Sequence, residues 1–275
     1  MTVNVFGLDF TSRPSRGKPI TCAVCRVDGR TLHVRRVDGF ESFAEFEAFL
    51  LADGPWVAGF DFPFGQSRRF IENIGWPASW AEYVRYVATL ERQSFRDQLD
   101  NYRVGRADGD KEHRRSTDAR TGAISPQKLY GVPVGLMFFE GAQRLLSSGV
   151  NIPGLYRGDN RRTAFEVYPG VLARRVTRQG YKSDSRALQS EAQKQARADI
   201  LAYLRGEGCR QDYGLVVTIE GTLNEDPSGD TLDAVMCAVQ AAWAHRQGDT
   251  LLRRLSDDQQ LEGWIADPKA FEPDV

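Results

Sequence analysis

The chain has no run of eighteen uninterrupted apolar residues, so no stretch of it is long enough to cross a bilayer as a helix. Its first residues, "MTVNVFGLDF", lack the basic and apolar parts of a secretory leader. A soluble, cytoplasmic protein with no membrane partner is the expectation. An excess of charge of either sign is also missing. Lys and Arg number 36 against 37 Asp and Glu, which argues against a chain-wide electrostatic grip on nucleic acid and leaves room only for a local basic groove. Histidine is scarce: His33, His113 and His245 are scattered and make no zinc spacing. Cysteine offers one C-x-x-C, Cys22 and Cys25, without a second pair. Both lie in "ITCAVCRV", which reads as a strand, where residues three apart point to opposite faces. Buried free thiols are expected there. There is no G-x-x-x-x-G-K-[ST] phosphate loop and no G-x-S-x-G elbow. "GLDFTSRP" lacks the second acid, two residues on, of an aspartate-based phosphatase.

What is present suits one large domain: 275 residues, 41% of them hydrophobic. "VNVFGLDF" reads as a central strand, and "ITCAVCRV" and "TLHVRRV" flank the hairpin signal Asp28-Gly29. In "ESFAEFEAFLLADG", Phe43, Phe46, Phe49 and Leu50 recur at helical spacing before Gly54-Pro55. "WVAGFDFPFG" reads as a buried strand. From 66 to about 160 the pattern turns helical, in "PASWAEYVRYVATLERQSFRDQL" and "GLMFFEGAQRLLSSG". Between these lies "RVGRADGDKEHRRSTDARTG", charged and without a hydrophobic period, which reads as a mobile loop. "RTAFEVYPG" restores a strand, "SRALQSEAQKQARADILAYLRGEG" a helix, and "YGLVVTIEG" a strand. "GDTLDAVMCAVQAAWA" is a helix and "EGWIADP" a short strand. An antiparallel meander feeding parallel crossovers makes a mixed α/β sheet with helices on its faces.

Five carboxylates stand at the ends of these apolar elements: Asp9 in "FGLDF", Asp61 in "GFDFPF", Glu166 in "AFEVYP", and Asp230 and Asp233 at the head of an apolar helix. Each has an ordinary reading. Asp9 and Asp61 could form turns, and Glu166 could pair with Arg161 or Arg162. Asp230 and Asp233 could simply cap a helix N-terminus. Taken together they say more. Residues three apart on a helix share a face, and Ala234, Ala238, Ala241 and Ala242 keep that helix slim enough to lie close on a sheet. Converging acids repel, by roughly 4 kcal/mol for two charges 4 Å apart at an effective dielectric near 20. Either some stay protonated or a cation sits among them. An all-oxygen site suits Mg²⁺ or Mn²⁺.

"GLDF" on a first strand, an acid closing the fourth and D-x-x-D-A opening the last helix resemble the ribonuclease H-like superfamily, the helix most of all its RuvC resolvase type. In their order, "GFDFPFG", "FEVYPG", "DTLDAVMCAVQAAWA" and "EGWIADP" resemble the domain-of-unknown-function 429 family, a set of expected RNase H-like nucleases. The resemblance covers both ends of the chain and leaves out about 66–160. It implies an RNase H-like mixed five-stranded sheet, order 3-2-1-4-5, with helices on both faces and a helical insertion at 66–160. It also implies a nuclease with two Mg²⁺ or Mn²⁺ ions. Asp9 would bridge them, Asp61 and Asp233 would each complete one shell, and Asp230 and Glu166 would assist. The substrate would be a nucleic acid, DNA or RNA. Trp76, Trp80, Tyr83, Tyr86, Phe95 and Tyr102, among Arg85, Arg92, Arg96, Arg103 and Arg106, could stack on single strands or form an ordinary core; for Trp76, Trp80 and Tyr83 the core is the expectation. Lys128 and Tyr130 are further candidates for phosphate contact. The alternative is a non-catalytic binding or scaffold protein. An actin-like phosphotransferase is weaker still, because "TSRPSRG" has one glycine where phosphate loops need several.

Overall fold

The structure, a computed structural model, describes residues 2–183, 189–220 and 226–272. Its sheet has seven strands rather than the five expected. β1 (Thr2–Asp9), β2 (Ile20–Asp28) and β3 (Thr31–Phe40) form an antiparallel meander, and Gly29 turns the first hairpin at φ +58°. β4 (Trp56–Phe60) runs parallel to β1, and β6 (Asp159–Glu166) parallel to β4. Two short edge strands, β5 (Val150–Asn151) and β7 (Val216–Ile219), flank the set, giving the order β5-β6-β4-β1-β2-β3-β7. β7 lies within "YGLVVTIEG", whose Gly221 falls outside the described residues.

Twelve α-helices are described. They are α1 (Phe43–Leu50), α2 (Arg68–Ile74), α3 (Trp80–Ala88), α4 (Arg92–Arg103), α5 (Ser116–Thr121) and α6 (Val134–Ser148), then α7 (Pro169–Val176), α8 (Glu191–Arg205), α9 (Glu207–Tyr213), α10 (Asp230–Gln247), α11 (Asp249–Leu252) and α12 (Asp257–Glu262). The "SRALQ" stretch expected to begin α8 includes residues 185–188, outside the described set. The helix starts at Glu191, where Ser190 and Gln193 close a capping box.

Strand alternation sorts the core into two layers. On one face Val5, Cys25, Val57 and Phe165 pack with α10 and α8; on the other Leu8, Cys22, Phe60 and Ala164 pack with α1 and α6. Cys22 and Cys25 are thus buried thiols on opposite faces, as their spacing requires.

The 66–160 segment shares the second layer instead of standing apart. Trp76, Trp80, Tyr83, Phe95 and Tyr102 are buried with Leu8 and Phe60. They are core anchors and not stacking platforms. Three of the interleaved arginines are paired within the chain: Arg92 with Glu140, Arg103 with Asp100 and Glu112, Arg106 with Asp110.

Two local expectations fail. The charged loop before α6 is not loose throughout. It contains α5, whose preceding residue Arg115 is only 2% exposed. A charge pattern without hydrophobic period cannot reveal that one arginine in it has buried acids to meet. "EGWIADP" is buried but is no strand. Gly263 (φ +86°) and Pro268 bracket it, and its amides go elsewhere: Ala266 N–H to the Glu166 carbonyl (2.8 Å) and Ile265 N–H to the Thr117 hydroxyl (2.9 Å).

Candidate functional site

Two glycines decide where α10 lies. Gly7 on β1 and Gly59 on β4 are register partners on the sheet face beneath it. A Cβ on Gly7 would stand 2.0 Å from the Ala234 carbonyl oxygen, and one on Gly59 2.6 Å from that of Cys237. Only bare backbone lets the helix come so close. The alanine-rich character of α10 meets the glycines from the other side. Asp9 and Asp61 follow these glycines by two residues, so alternation aims them at the same face. The Asp61 N–H donates to the Leu8 carbonyl (2.9 Å), which ties the two strand ends together. Asp230 and Asp233 open α10 at this end of the sheet. The sequence-expected acids Asp9, Asp61, Asp230 and Asp233 therefore gather at one end of the sheet.

Glu166 shares a pocket of about 250 Å³ with Asp61, but it comes from the other face of the sheet and its carboxylate is taken by protein donors. It is the register partner of Phe60, one step out of phase with Gly59 and Asp61. Its carboxylate accepts from Arg115 Nη2 (2.5 Å) and Nη1 (2.8 Å) and from the Phe64 N–H (2.9 Å). Arg115 also spans Asp118, with bonds of 2.8 and 3.0 Å. Glu166 does not pair with Arg161 or Arg162. Arg162 is held by Asp159, and Arg161 donates to the Gly54 carbonyl.

The four gathered acids differ in their partners. Asp230 accepts two bonds from Lys18 Nζ, at 3.0 and 2.8 Å. Asp233, fully buried, accepts from the Tyr181 hydroxyl on Oδ1 (2.5 Å) and from Lys182 Nζ on Oδ2. The side-chain carboxylates of Asp9 and Asp61 have no hydrogen-bonding partner among the described residues, although Asp9 is only 9% exposed. Burial, then the Asp233 charge, raise the Asp9 carboxyl well above the ordinary range, with Lys182 opposing. Burial and Asp233 push Asp61 up to about 7. Asp233 is raised by burial, against the pull of Lys182 and Tyr181. For Lys182 burial works downward, but Asp233 and Asp9 outweigh it and hold the ammonium charged.

Asp9, Asp61, Asp230, Lys18 and Lys182 line a cleft of about 410 Å³ whose walls also include Ser12. Val132, Met137, Asp61 and Lys182 are shared with an adjoining pocket of about 250 Å³ that also presents Ile124 and Val134. Lys128 and Tyr130 lie against each other, 5.1 Å from ammonium to ring centre, and line neither cavity. Lys18, Lys182, Tyr181 and Arg115 escaped the sequence reading. A lone lysine or arginine in a polar stretch carries no period or motif to mark it.

The donor set is all oxygen, two of its carboxylates are unpartnered, and those two are buried or half-buried. That chemistry fits a hard divalent cation. Its reach is limited: among the described residues no group of three or more His, Cys, Asp or Glu stands ready to hold one ion. A pair of carboxylates suffices for Mg²⁺, which commonly keeps several waters and takes one or two carboxylates. No family model matches the chain, and no curated protein or solved structure matches it.

Proposed function

We propose that this protein is a metal-dependent phosphodiesterase acting on nucleic acid, a nuclease of RNase H-like design. The observation that carries the reading is the pair Asp9 and Asp61, two acids whose carboxylates have no hydrogen-bonding partner among the described residues, on adjacent parallel strand ends, with the head of α10 pressed against them. The order β3-β2-β1-β4-β6 within the larger sheet also favours the RNase H-like likeness. Fold alone does not establish an activity, so the site has to bear the argument.

In this reading Asp9 and Asp61 hold a Mg²⁺ or Mn²⁺ ion. Bound there, such an ion would supply Lewis-acid polarisation of a phosphoryl oxygen and a more acidic water. The chain supplies the rest. Lys18 and Lys182 present positive charge at the cleft walls, where a phosphate would enter. Asp233 anchors Lys182, and Asp230 anchors Lys18. The apolar pocket beside Asp61 offers a surface for a sugar or base.

The test is incubation with single-stranded, duplex and branched DNA and RNA in Mg²⁺ or Mn²⁺, beside Asp9→Asn. Identical product patterns from both proteins would sink the assignment. A second reading, a non-catalytic binding protein on the same fold, draws support from the lysines already neutralising Asp230 and Asp233 and from the lack of a three-acid cluster among the described residues. It entails no thermal shift with Mn²⁺.

A further inference from the structure

We propose that the site takes a single divalent cation, on Asp9 and Asp61, and that the Lys182 ammonium stands where a second ion would lie. This rests on the metal-dependent reading above and departs from the pair of ions that the family resemblance implies.

The partners separate the acids into two kinds. Both oxygens of Asp233 are engaged, one by the Tyr181 hydroxyl and one by Lys182. Both oxygens of Asp230 are engaged by Lys18. Asp9 and Asp61 remain, and Asp9 is nine-tenths buried with no partner among the described residues. Charge points the same way. Among the described residues, Asp9, Asp61, Asp230 and Asp233, when all are ionised, stand against Lys18 and Lys182 and leave two negative charges, the charge of one divalent ion. Crowding a second dication against the Lys182 ammonium would add repulsion between cations.

Lys182 is also held in place by its backbone. Its carbonyl accepts from Gln193 Nε2 on α8 (3.2 Å), and the Tyr181 carbonyl accepts from Arg197 Nη1 (2.8 Å). The Ser183 N–H donates to the Pro227 carbonyl (3.2 Å), which joins this segment to the turn before α10. The stem crosses Gly229, where a Cβ would stand 2.7 Å from the Lys182 Cβ. Gly229 has φ +78°, so both its conformation and the space above it call for glycine. A lysine seated by α8, by the turn and by a glycine is a built part of the site.

The experiment is calorimetric titration of the metal-free protein with Mn²⁺, with electron paramagnetic resonance of the loaded samples, on wild type, Lys182→Gln and Lys182→Met. Near-ultraviolet circular dichroism checks that each variant keeps its packing. One Mn²⁺ per wild-type chain is expected, with an uncoupled spectrum. Two per chain are expected in both folded variants, with a spin-coupled signal. Two ions in wild type would overturn this proposal and leave the metal-dependent function standing, as would one ion in both folded variants. No Mn²⁺ on any of the three would overturn the functional reading and this proposal with it. Should a variant lose its packing, the wild-type count alone decides.

Discussion

Glu166 and Asp61 sit at the ends of neighbouring parallel strands, one residue out of step, yet their surroundings differ in kind. Glu166 is enclosed in a finished network with Arg115, Asp118 and the Phe64 amide. Asp61, with Asp9, faces a cleft and touches no donor side chain among the described residues. Both are acids on apolar strands, and both carboxyls are raised by burial. What distinguishes them is completion. A buried acid whose oxygens are all taken by protein groups holds the fold together. One left open at a cleft is what the proposed metal site rests on.

That contrast breaks most visibly at Arg115. Arg115→Met strands Glu166 and Asp118 as unpaired buried charges, and a loss of about 3–5 kcal/mol in urea-melt stability is expected. Glu166→Gln should cost stability in the same assay while leaving cleavage close to wild type. Asp9→Asn is expected to do the reverse. Cleavage in Mg²⁺ should fall about 100-fold or more, while the melt stays near or above wild type, because one member of a repelling pair has been neutralised.

The packing that aims the open pair can be disturbed without touching an acid. Gly7→Ala puts a methyl group into the α10 backbone. About 1–3 kcal/mol of stability should go as helix and strand separate, and cleavage should fall with it. A melt equal to wild type would mean that α10 does not lie where described.

The smallest effect is in pH. The Asp61 carboxyl, pushed up to about 7 from an ordinary 3.8, keeps in the folded state a proton that the unfolded chain releases. Its contribution to stability is full below about pH 4 and is lost as the pH rises through about 7. Metal-free wild type should therefore lose about 1–2 kcal/mol relative to Asp61→Asn between pH 4 and pH 8, since a pKa unit is worth about 1.4 kcal/mol and the open cleft screens part of it. Parallel urea-midpoint curves for the two proteins would remove this term.

The alternation of "VNVFGLDF" and "WVAGFDFPFG" and the D-x-x-D spacing carried enough to bring Asp9, Asp61, Asp230 and Asp233 to one end of the sheet. The phase of Glu166 was legible too: two residues after Ala164, it shares that residue's face, opposite α10, but its Arg115 partner was not. The edge strand β5, two residues long, has no pattern to read. Lys18 and Lys182 reach the cleft through tertiary contacts 212 and 51 residues apart in sequence, which no local period encodes. Arg115 is hidden in the same way, as a buried cation inside a stretch whose composition says loop.

The central claim is that Asp9 and Asp61 form the open, metal-taking pair. Its most direct test is a crystal soaked in Mn²⁺ and measured for anomalous scattering. A peak between the two carboxylates, roughly 2.0–2.2 Å from their oxygens, is the result expected. A well-soaked crystal with no peak there, or with its only strong peak at Glu166, would contradict it.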